Sequence, residues 1–187
     1  MEFSNSLLVA MMFVTILSMG IGNVLMALPP LIDRQSHVNV GRLQLAWIVL
    51  LLLLHLDLFW QVRVILEREA WSFVEFVFTE TGPILLLLAT SFLLPDPSRE
   101  ADDPFDHYRA AAPLSFTLLA VMMLWIPALD LYFGGALQPE NALDVALAAL
   151  FGLLAVARSA RLHVAGTAIA WIVFVCGVGV RAVEIGG

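Results

Sequence analysis

The chain has 187 residues, of which 61% are apolar and only 13% charged, and its mean hydropathy is +0.93. That charged share is about half of the roughly 25% typical of soluble chains, which excludes a soluble globular fold, a disordered chain and a nucleic-acid binder with its basic footprint. The net charge is −7, all nine cations are arginine, and the single cysteine, Cys176, leaves no disulfide framework, CxxC pair or cysteine zinc site.

Crossing a bilayer as a helix takes about 17–25 apolar residues. Six runs meet or approach that length, at about 6–28, 43–66, 70–94, 112–133, 142–157 and 162–183. They predict an all-α polytopic transmembrane bundle forming one integral membrane domain. The first run ends at Pro29-Pro30, the third at Pro95 and the fourth at Gly134-Gly135, residues that stop helices. The fifth is short. Leu50 to Leu54 and Ile84 to Leu88 do not alternate apolar with polar, as barrel strands must. The acidic segment from Pro95 to Arg109 reads as a solvated turn leading through Phe105 and Tyr108 into the fourth span.

No arginine precedes Arg34, so the first run is expected to be a span and not a cleaved signal. Arg34, Arg42, Arg99, Arg109, Arg158 and Arg161 fall in the odd-numbered connections, against Arg63, Arg68 and Arg181 on the other side. Cations favour the cytoplasm. The expected location is therefore a cell membrane, as in a bacterial inner membrane, with both termini outside. Trp47, Trp60 and Trp71 lie near span ends, where interfacial belts form, while Trp125 and Trp171 fall mid-span. Small residues at Ala148, Gly152, Gly166 and Ala170 predict close packing of the fifth and sixth spans.

Ionisable side chains cost at least about 2.5–3.5 kcal/mol near the centre of a spanning helix. Five lie within these spans: His55, Asp57, Glu75, Glu80 and Asp130. A rise of about 1.5 Å per residue puts His55 and Glu80 at one depth, with the others in the same half of the bundle. Residues two apart point about 160° away from each other, so His55 and Asp57 belong to opposite faces of the second span. Asp57 can pair with Arg63 or Arg181. The stretch Thr79-Glu80-Thr81-Gly82-Pro83 predicts a kink: Pro83 cannot bond the carbonyl of Thr79, which is left free beside a carboxylate and two hydroxyls. Broken helices and buried acids together are how transporters build ion sites.

Three functions are expected on these grounds. The first is a channel or carrier for protons or small cations, with Glu80 as the central relay, Asp57, His55 and Thr79 around it, and Glu75 and Asp130 in an outer vestibule. The second is a hydrophobic-ligand or sensory protein with a pocket walled by Trp125, Trp171 and Phe76. The third is a membrane enzyme using His55 and Glu80 as an acid–base or metal pair. A bis-histidine haem is not expected, because His55 is central while His163 begins the sixth span, about 15 Å away in depth. HExxH and ExxH metal patterns do not occur. The expected partners are the lipid bilayer, the transported ion and further copies of the chain, since the polar faces of the second span diverge.

Overall fold

The computed structural model describes residues 5–32, 41–68, 70–95, 104–137 and 141–185, with the side chains of 30–32, 104–106 and 178–185 outside that description. All regular structure among the described residues is helical: α1 (Asn5–Ile32), α2 (Arg42–Trp60), α3 (Val62–Leu66), α4 (Phe73–Leu93), α5 (Pro104–Gly134), α6 (Asn141–Val156) and α7 (Ala160–Ile185). α3 continues α2 after one turn residue, Gln61. Five stretches are long and apolar enough to cross a bilayer: 5–29, 42–66, 73–93, 107–134 and 160–177. α6, at 16 residues, falls short of that length. The outside of the bundle is apolar, with Met26, Phe73, Val74, Leu124, Val164 and Ile172 exposed, a surface suited to lipid.

Two boundaries differ from the sequence reading. α1 runs past Pro29 to Ile32, because a proline near a helix end removes only one bond, whose carbonyl can turn to solvent. α5 begins at Pro104, well before the apolar run, since proline is pre-shaped for a first helical position. The acidic residues 96–103, with Arg99, and also Arg34, lie outside the described residues.

Hydrogen bonds between helices fix the registers. Gln44 donates to the carbonyl of Leu93 (2.8 Å), Ser115 to that of Ala89 (2.8 Å), Trp125 Nε1 to that of Phe78 (2.7 Å) and His107 Nε2 to that of Leu94 (2.9 Å). The Leu93 and Leu94 carbonyls belong to the end of α4, where the helix leaves acceptors unused. These four bonds set α4 antiparallel to both α2 and α5. Ser6 donates to the carbonyl of Arg68, which sets α1 antiparallel to α2.

α6 packs most extensively on α5. Its first residue, Asn141, donates to Asp130 (2.7 Å) near the end of α5. Its far end leads to Ala157, whose carbonyl accepts from His163 Nε2 (3.0 Å), and His163 Nδ1 accepts from the hydroxyl of Tyr108 (2.8 Å) near the start of α5. Both ends of α5 are thus tied to the two ends of the α6 segment. The contact of α6 with α7 is narrower than expected: Gly166 lies against Leu154, whereas Gly152 and Gly177 face open space.

The core on the Tyr108 side is aromatic. Trp47 packs edge-on against Phe116 at 4.8 Å and Phe151 at 5.9 Å, and His163 lies 5.8 Å from Phe116. Trp47 is fully buried. It was expected at the membrane interface, but its face of α2 turns inward onto α5 and α6.

Candidate functional site

The registers define a polar layer at mid-height. From the Gln44–Leu93 bond, His55 lies about 17 Å along α2 and Glu80 about 20 Å along α4, so the two are level within about 3 Å. Gly20 of α1 belongs to the same layer, because its Cα faces the His55 ring. His55 is 0% exposed; its Nδ1–H donates to the carbonyl of Leu51 (2.8 Å), which leaves Nε2 as a bare acceptor facing α1. Glu80 is 3% exposed, and both of its carboxylate oxygens are buried with no hydrogen-bond partner. The buried hydroxyl of Thr79 also has none. Each such orphan is costly in a low-dielectric interior and calls for a reason.

Next to this layer lies a cleft of about 370 Å³, lined by Ile65, Glu67, Arg68, Trp71, Thr79 and Asp130 among others. Most of these residues come from the Arg68 end of the bundle. Thr79 is the α4 residue among those lining it, about 9 Å below the start of that helix, and Glu80 is the next residue. One turn beyond the polar layer, away from the cleft, Val24, Leu51, Leu86 and Leu119 come to one level and are all 0% exposed. The layer thus lies between the level of the cleft and a level of buried aliphatic side chains.

The remaining residues singled out from the sequence take separate places. Glu75 is in the first turn of α4, where Ser72 and Glu75 form a capping box and Arg68 is its ion-pair partner. Asp130 is on the cleft wall, bonded to Asn141. Asp57 is half-buried, on the side of α2 opposite His55. Arg63 lies over the Trp60 ring, 5.8 Å from its centroid, and the side chain of Arg181 is outside the described residues. Trp125 lies across Gly82 with its indole committed to Phe78, Trp171 packs against the core, and Phe76 lines a separate surface cleft between α1 and α4. Among the described residues no three His, Cys, Asp or Glu side chains gather as metal ligands.

Searches of family models, curated proteins and solved structures find no match to this chain.

Two groups escaped the sequence reading. Arg68 was counted only for orientation, yet its guanidinium lies 5.2 Å from the Trp71 ring centroid and 4.4 Å from that of Phe133 and organises the cleft mouth. The Ser72-x-x-Glu75 spacing, a capping-box signature, was the signal available for it. The Tyr108–His163 pair joins residues far apart in sequence and left no local signal.

Proposed function

We propose that this chain is a small six-span membrane protein that carries protons, or small cations, across a bilayer through Glu80. The observation that supports this most is the buried, partnerless carboxylate of Glu80 at mid-height, next in sequence to Thr79, which lines a cleft together with Glu67 and Asp130. A carboxylate kept for packing alone would be paired, because an unpaired one is expensive. Glu80 is the exchanging acid, Thr79 carries the contact with the cleft, and His55 is the level neighbour whose bare Nε2 can accept a proton. Asp130 and Glu67 draw cations to the mouth, and Glu75 holds Arg68 in place.

In this reading α6 is the fifth of six spans, supported by its ties to both ends of α5, and α4 bends at Gly82-Pro83, where the carbonyl of Thr79 loses its donor. Both termini then share one side, and the arginine asymmetry puts that side outside the cell. Further copies of the chain are its partners in the membrane.

The test is proton flux into proteoliposomes, read with an entrapped pH-sensitive dye. Glu80→Gln keeps the shape and removes the exchangeable proton. Its flux is expected to fall to that of protein-free vesicles while its helical circular dichroism stays unchanged. Wild-type flux in that variant overturns the role of Glu80.

A further inference from the structure

The cleft is larger and more aromatic than a proton path requires, and its use for a bigger cation rests on the reading of Glu80 as an exchanging acid. At about 370 Å³ the cavity falls in the range of small-molecule sites, about 300–1,000 Å³, far above the needs of a proton. Its walls are apolar and aromatic, from Val64, Ile65, Leu129, Trp71 and Phe133, while Glu67 and Asp130 bring carboxylates to it. Arg68 also lines it, but that charge is countered by Glu75 and lies against the Trp71 and Phe133 rings. Two residues of the lining carry a buried, unpartnered polar atom: the indole N–H of Trp71 and the hydroxyl of Thr79. Glu80, the residue after Thr79, carries a buried carboxylate with no hydrogen-bond partner.

We propose that the cleft binds a small lipophilic monocation, an aryl- or alkylammonium ion, which Glu80 exchanges for its proton. The aromatic rings and aliphatic walls take the hydrocarbon part. Asp130 and Glu67 guide the cation in. Glu80 then releases its proton to the aqueous phase and its carboxylate becomes the counter-ion of the bound ammonium. One positive charge enters as one leaves, so the buried site keeps its net charge and no uncompensated ion is left in the bilayer interior.

The test uses the full chain in lipid nanodiscs, titrated calorimetrically with benzyltrimethylammonium in weak buffer, with pH recorded in parallel. Saturable binding is expected, with about one proton released per cation bound. Glu80→Gln should abolish the proton release. The double variant Glu67→Gln, Asp130→Asn, which removes both charges while the new amide oxygen at position 130 can still accept from Asn141, should weaken binding about tenfold, and benzoate, an anion of similar size, should not compete. Absence of saturable binding to the wild type, binding indifferent to all three substitutions, or equal competition by benzoate overturns the proposal. If wild-type proteoliposomes still conduct protons while the cation fails to bind, the ammonium site falls and the proton role of Glu80 stands; if both fail, so do both readings.

Discussion

Gly20→Ala is the sharpest probe of the mid-height layer. A Cβ built on Gly20 comes 2.5 Å from Cδ2 and 3.1 Å from Cε1 of His55, and nearer still to Nε2. The ring cannot yield freely, because Nδ1 is bonded to the carbonyl of Leu51. Overpacking of this kind costs about 1–3 kcal/mol. Replacing glycine by alanine inside a helix returns about 0.8–1 kcal/mol. A ring that swings clear forfeits a bond worth about 0.5–1.5 kcal/mol. Clash and lost bond together, less the propensity gain, leave a net loss of about 0.5–3.5 kcal/mol. The assay is detergent-driven unfolding in mixed micelles, followed by helical circular dichroism, on wild type, Gly20→Ala, His55→Ala and the double variant. Removing the ring removes the clash, so the double variant should be at least as stable as His55→Ala alone. The two substitutions should therefore be non-additive by well over the roughly 0.3–0.5 kcal/mol seen between independent sites. Additive effects, or a Gly20→Ala protein as stable as wild type, would refute the placement of His55 against α1.

The same unfolding assay checks two further expectations. Tyr108→Phe leaves Nδ1 of the buried His163 without its donor, and stability should fall by about 1–3 kcal/mol, the cost of a buried group left unsatisfied. Ser72→Ala removes the hydroxyl that accepts from the backbone of Glu75 at 3.2 Å, and it should cost about 0.5–2 kcal/mol, as cap losses do.

The long spans were legible because hydrocarbon imposes one rule on every residue of a run, so the apolar stretches mark five long helices to within a few residues at most ends. Helical angle was legible too: His55 is fully buried, while Asp57, two residues on, is half-exposed. Depth alone was a weaker guide. Glu75 counts as intramembrane by position in an apolar run, yet the helix starts only at Phe73, and the side chain turns back to cap it. Trp47 looked interfacial because position along a span says nothing about which face turns inward. The cleft was not readable at all, since its walls come from α3 and the residues after it, from Thr79 of α4 and from the end of α5, and only their assembly puts Arg68, Trp71 and Asp130 around one space.

The four side-chain bonds onto the backbone of α4 have a consequence for motion. Gln44, His107, Ser115 and Trp125 reach from two flanking segments to carbonyls spread from Phe78 to Leu94. A piston stroke of α4 by a single turn, about 5.4 Å, would break all of them together. Any cycle that uncovers Glu80 first to one compartment and then to the other must pivot or swing the surrounding helices about a stationary mast, and parting the buried side chains of Leu51 and Leu86 is the stroke such a cycle requires.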